Sequence, residues 1–181
     1  AAGGSSYPLT GSDGCGVHLA QEAGHKIKEL HPALVPLESD TDWVTTLQGL
    51  SLRNVRVTVF TNGKKSDEMF GEMMFTHFGV TGPIILSLSR KIAVDLAKKK
   101  KVYLSINLKP ALSPEQIDAR LQRDFQKYIH KQMKNAMVDL LPHRLIPIVL
   151  DLSYIDNEKY ADQITKKERL QLGQTLRSLS F

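Results

Sequence analysis

Gly71-Glu72-Met73-Met74-Phe75-Thr76-His77-Phe78-Gly79-Val80-Thr81-Gly82-Pro83 sets an apolar strand, a pair of closely spaced glycines and a helix start within thirteen residues. Met73, Met74, Phe75 and Phe78 are apolar enough for a covered strand. Gly79 and Gly82 permit backbone angles that other residues resist, and Thr81 followed by Pro83 suits a helix N-terminus. Backbone N–H groups at such an end point outward without partners and favour an anion or a carbonyl oxygen nearby. The same residues also suit a plain strand-to-helix corner in which glycine is needed for space alone.

Upstream of this tract, Leu52 to Phe60 places Val55, Val57 and Val59 on one face and Arg56 and Thr58 on the other. Asn62-Gly63 then offers a type I′ hairpin turn into a return strand from Lys65 to Thr76. Lys101 to Leu108 alternates again. At least three strands therefore flank the helix that Pro83 opens, and a small barrel or strongly curled sheet over residues 38–110 is the natural way to bury them. Trp43, the single tryptophan, is expected to pack against this sheet.

Downstream the pattern changes to helix. Ser113-Pro114-Glu115-Gln116 reads as a capping box with proline at the first helical position, which predicts a helix from Pro114 to about His130 with Ile117, Leu121, Phe125 and Ile129 on one stripe. Met137, Leu140, Leu141, Leu145, Ile148, Val149 and Leu150 supply one or two short helices interrupted by Pro142 and Pro147. Thr165-Lys166-Lys167-Glu168 is a second capping box, opening a last helix with Leu170, Leu172, Leu176 and Leu179 inward. Residues 111–181 thus read as a small helical subdomain. At the other end, Ser5 to Ser12 is loop chemistry, Asp13 caps a short helix through Glu22, Gly24 ends it, and Lys26 to Leu30 alternates in strand fashion. Pro32 and Pro36 mark a crossover between domains.

Three ordered motifs carry a resemblance. The Gly71–Pro83 tract resembles the GE-(apolar)-(apolar)-FTH-x-G-(apolar)-SGP signature of bacterial FAD-dependent oxidoreductases known as NAD(FAD)-utilizing dehydrogenases or aminoacetone-oxidase-like flavoproteins, with Thr81 keeping a hydroxyl where serine is usual. The opening run Ala1 to Gly16 resembles that family's ATGG-x-SYP-x-TGS-x-GDG, with Ala2 and Cys15 departing from it. Gly24-His25 and Leu30 to Leu37 resemble its GH and PALVPL elements. The resemblance implies an α+β chain in three parts: residues 1–37 as a remnant of a Rossmann-type FAD-binding domain, 38–110 as a β-barrel-like insert, and 111–181 as the helical subdomain. It also implies that Gly3, Gly4 and Ser5 lie beside FAD, and that Thr76, His77, Thr81 and Gly82 face the flavin or the substrate pocket, with His77 the candidate catalytic residue.

No G-x-G-x-x-G phosphate loop is present, since Gly11, Gly14 and Gly16 have the wrong spacing and no β-branched strand precedes them. The expectation is an excised middle portion of a larger flavoprotein that covers the FAD and shapes the substrate pocket. Such a piece is inactive alone and binds no flavin by itself. Its partners are the remaining halves of the flavin domain and an unknown small-molecule substrate, with self-association open through the apolar surface of the remnant.

Composition bounds the other classes. The chain has 181 residues, 41% hydrophobic and 24% charged, with a formal net charge of +5. No run of about 18 or more apolar residues exists to span a bilayer, and no signal-peptide pattern opens the chain. A single cysteine, Cys15, excludes an internal disulfide and fits a reducing compartment, so the cytoplasm is the expected location. Six histidines are scattered without metal-ligand spacing, so no metal is expected. Lys98-Lys99-Lys100-Lys101 suits either a solvated helix end or a basic barrel that binds nucleic acid, although the run lacks interleaved aromatics. A protein-interaction module is the third alternative.

Overall fold

The computed structural model describes residues 3–181, so Ala1 and Ala2 lie outside the described residues. The chain forms two compact units, Ala1–His31 and Pro32–Phe181.

In the first unit the glycine-rich opening folds into a closed loop. Gly14 N–H donates to Gly4 O at 3.0 Å, Tyr7 and Ser12 form an isolated bridge, and a single 3-10 turn spans Pro8–Thr10. Helix α1 (Cys15–Glu22) follows. Gly14, at φ 89°, takes the N-cap position, while the Asp13 carboxylate still accepts from Cys15 N–H at 3.0 Å. Gly24, at φ 84°, stops the helix as expected. Lys26–Leu30, expected as a strand, is irregular, because among the described residues this unit offers no neighbouring strand to share its backbone hydrogen bonds.

The second unit is a six-stranded antiparallel sheet with helices, and its elements run β1 (Leu37–Glu38), α2 (Asp42–Thr46), β2 (Ser51–Thr61), β3 (Lys64–Phe75), β4 (Gly79–Thr81), α3 (Pro83–Ala97), β5 (Val102–Asn107), α4 (Pro114–Lys127), α5 (Met133–Ala136), α6 (Ile146–Leu152), α7 (Lys166–Arg177) and β6 (Leu179–Ser180). Strand order is β1-β4-β3-β2-β5-β6. The alternation of Val55, Val57 and Val59 puts all three against the core, and Asn62 and Gly63, at φ 50° and 78°, make the turn their sequence demands. Trp43 on α2 packs, partly buried, against the core that this sheet shares. That indole meets Phe75 at the end of β3 and Phe181 beyond β6 edge-on, at centroid distances of 6.1 and 5.7 Å.

Both capping boxes form. Ser113 and Gln116 close the start of α4, and Thr165 and Glu168 close the start of α7, each through reciprocal side-chain and backbone bonds. Helix α4 ends at Lys127, short of the expected His130. Leu179 was expected inside the last helix. It lies instead on β6, opposite Ile106 of β5, and is buried there. Leu170, also expected inward, is 51% exposed. The helices share the sheet's core: Leu108 N–H donates to Leu176 O at 2.9 Å, and Leu172, Leu176, Ile117 and Leu121 are buried with the strand valines in one cluster.

Candidate functional site

The Gly71–Pro83 tract builds a tight double corner. Strand β3 ends at Phe75, a turn covers Thr76 to Phe78, β4 takes Gly79 to Thr81, and α3 opens after Gly82. The turn is held by Thr76. Its backbone N–H donates to Gly79 O at 2.8 Å, and its hydroxyl accepts from Gly79 N–H at 3.0 Å and Phe78 N–H at 3.4 Å. His77 sits at the apex of this turn, exposed, its ring edge-on to Phe78 at 4.8 Å. Its imidazole makes no hydrogen bond or ion pair among the described residues, so the turn stands without its help.

The two glycines are needed for different reasons, and one differs from expectation. Gly82 does hold an unusual backbone, φ 103°, and an added Cβ would come within 2.8 Å of Met73 Cα. Gly79 adopts an ordinary backbone; what it supplies is space, because a Cβ there would lie 2.1 Å from the carbonyl oxygen of Leu37 on β1. Thr81, expected to cap α3, belongs to β4 and pairs with Met74. The N-cap of α3 is Gly82, with no side-chain cap, and Pro83 occupies the first turn as expected. Gly71 completes the clamp. At φ 154°, beside the register shift between Leu52 and Val55, it lets β3 approach α3 so closely that a Cβ would be 2.7 Å from Ile84 Cγ2.

Thr76, His77, Thr81 and Gly82 are therefore gathered on one corner. Gly3, Gly4 and Ser5 belong to the first unit, where all three are exposed; around Gly4 an added Cβ would meet nothing within 4 Å. Cys15 is also exposed, and Asp13, by hydrogen bond and then by charge, pushes its thiol pKa up, which disfavours thiolate chemistry. The lysine run starts at Lys98, the C-cap residue just past the end of α3. Within it Lys100 pairs with Asp95 at 2.7 Å and holds that carboxyl below its ordinary range. Among the described residues no group of three or more His, Cys, Asp or Glu side chains is placed to hold a metal ion. Nor is any helix there long and apolar enough to cross a membrane.

One concavity had no signature in the linear sequence. A groove of about 530 Å³ is lined by His130, Lys131, Gln132, Asn135, Val138, His143 and Tyr160. Three separated stretches meet there, so neither spacing nor periodicity announces it.

The arrangement of a curled antiparallel sheet leading into short helices has a counterpart among known families. The model of the "HI0933-like protein barrel and H2TH domain" matches residues 31–181. This chain belongs to the HI0933-like family. Among curated proteins it is 28% identical over 155 residues to a 3-dehydro-bile acid delta(4,6)-reductase of Clostridium scindens, covering 86% of this chain and 38% of that one. It is 28% identical over 170 residues to the ribosomal RNA dihydrouridine synthase of Haemophilus influenzae, covering 90% of this chain and 37% of the other. The enzyme of the same name from Escherichia coli is 26% identical over 155 residues, covering 86% and 36%. The HI0933-like chain thus spans well under half the length of each of these relatives.

Proposed function

We propose that this HI0933-like chain is the insert of a longer FAD-dependent oxidoreductase, covering the flavin and shaping the pocket in which a conjugated carbon–carbon double bond is reduced. The observation that carries the reading is the first unit. Its apolar side chains Tyr7, Leu9, Leu19 and Leu30 stand 73%, 104%, 58% and 60% exposed, as expected of a segment whose covering partner is the rest of a cofactor domain. The names of the relatives agree in chemistry, since a delta(4,6)-reductase and a dihydrouridine synthase both add hydrogen across a ring double bond.

The residues fit one edge of a flavin site. The Gly3–Gly4 loop is cinched by Gly14 and open above Gly4, so a planar cofactor can approach the backbone there, with Ser5 offering a hydroxyl. Bound FAD supplies two-electron chemistry. The chain's own contribution is to exclude water, orient the substrate, and present the unpartnered His77 imidazole from a rigid turn to a substrate oxygen or a flavin carbonyl. The narrower label of aminoacetone-oxidase-like enzyme belongs with this reading only as one member of the class.

The test compares the full-length parent protein with its His77→Ala variant. Both should purify yellow with the same flavin spectrum, while re-oxidation of the reduced flavin by an enone steroid or a uridine-containing RNA slows by roughly tenfold or more in the variant. Unchanged re-oxidation removes His77 from the site. Stoichiometric flavin on the 181-residue chain alone overturns the insert reading.

A further inference from the structure

The groove in the helical region is framed by backbone pairing that leaves it little freedom. Met133 N–H donates to Lys159 O at 2.8 Å, Lys134 N–H to Asn157 O at 3.1 Å, and Ala161 N–H to Lys131 O at 3.0 Å, with a bridge between Gln132 and Tyr160. This stitches the 131–134 stretch to the 157–161 stretch, and His143 enters from the turn before α6. The wall is therefore preformed.

The lining is one-sided in its chemistry. Lys131, Gln132, Asn135, Tyr160 and the two imidazoles of His130 and His143 all offer donors, and no carboxylate lines the groove. Two acidic groups of the flanking stretches are paired elsewhere, while Asp162, two residues beyond Tyr160, is exposed and does not line the groove. Asp139 accepts from Lys127 Nζ and from Tyr128 Oη, each at 2.6 Å, and Glu158 pairs with Lys134 at 2.8 Å. Lys131 has no such partner; its ammonium rests over the Tyr128 ring at 4.8 Å, which positions the charge without neutralising it. Neither histidine makes a hydrogen bond or ion pair through its ring among the described residues. An open groove with a held cation, two imidazoles, two carboxamides and an exposed tyrosine ring matches a sugar–phosphate strand: phosphate oxygens accept from the donors and a base finds the ring face.

We propose that this groove is a phosphate-binding site for a polynucleotide strand, with Lys131, His143 and Asn135 as its phosphate contacts and Tyr160 as a stacking surface. The inference is independent of the flavin reading, because strand binding is measured without turnover.

The test is fluorescence anisotropy of the purified protein with a labelled single-stranded RNA oligonucleotide across a salt series. Four variants are compared: the double substitution Lys131→Ala with His143→Ala, the double substitution Lys99→Ala with Lys101→Ala, and the single changes Tyr160→Ala and Asn135→Ala. The substituted groove residues Lys131, Asn135, His143 and Tyr160 are exposed, so folding should be retained, which circular dichroism checks. The groove double variant should weaken binding about tenfold and flatten the salt dependence by about one unit per lost phosphate contact, while the lysine-run variant changes affinity less than about twofold. Equal losses from both doubles would mean diffuse charge and overturn the site. Absence of binding at low salt overturns it as well, and so does competition by uridine monophosphate at concentrations as low as those of the oligonucleotide, which would make this a free-phosphate pocket.

Discussion

At Gly79 a single hydrogen atom in place of a methyl group decides whether two strands can meet. The Leu37 carbonyl occupies the space a Cβ would need, at 2.1 Å, and that carbonyl belongs to the short pairing of β1 with β4. Neither backbone can retreat without breaking the pair. Gly79→Ala should therefore cost about 3 kcal/mol, read as a lower urea midpoint at unchanged slope. A loss under about 1 kcal/mol would mean that β1 can simply detach, and that the corner does not depend on it. The sequence marked Gly79 and Gly82 as important together with their helix, but not why. Backbone freedom is the usual reason for glycine at a turn, and it holds at Gly82. The steric reason at Gly79 depends on Leu37, a residue 42 positions away that no local pattern connects to it. The same limit applies to His77, whose place on the turn was readable while its lack of any polar partner was not.

Elements with a local chemical signature were legible and those defined only by partners were not. Capping boxes state their own boundaries, which is why α4 and α7 begin where their serine and threonine place them. Strands β1 and β6 hold two residues each and exist only because β4 and β5 offer edges. Two residues carry no period, so Leu179 reads as the last leucine of a helix until the sheet claims it. The cap of α7 also sets a pH dependence. The Glu168 carboxylate accepts from Lys159 Nζ at 2.6 Å and from Thr165 N–H at 2.8 Å. These two, the lysine first, lower its pKa from 4.5 to about 2. Because the folded value lies below the unfolded one, the stabilisation is complete above pH 4.5 and is lost as pH falls toward 2. Glu168→Gln retains an acceptor for the cap but not the charge. It should be less stable by about 1 kcal/mol at neutral pH, since the pair is partly exposed, and the gap should close in acid. Parallel stability curves for the two proteins from neutral pH down to pH 2.5 would show that the pair contributes nothing.

The whole molecule divides unequally, and stability should follow the division. Every buried apolar side chain among the described residues lies between Val44 and Leu179, while neither the 3-10 turn nor α1 of the first unit buries a residue. Sheet and helices in 32–181 share one cluster, with Phe75, Val57 and Ile106 from the strands buried alongside Leu121, Leu145 and Leu172 from the helices. Hydrophobic burial is the main favourable term in folding, so the unit that contains the core carries the free energy. A chain beginning at Pro32 should keep its melting temperature within about 4 °C of the 181-residue chain, a difference on the order of 1 kcal/mol at this size. It should also unfold in a single step. Trp43, the one tryptophan, packs partly buried against Phe75 of the sheet and reports on it by fluorescence, whereas far-ultraviolet circular dichroism is dominated by the helices. With a shared core the two signals must change at the same temperature. Separate midpoints would show that barrel and helices are independent domains, and a large drop on removing residues 1–31 would show that the first unit stabilises the second despite its exposed apolar side chains.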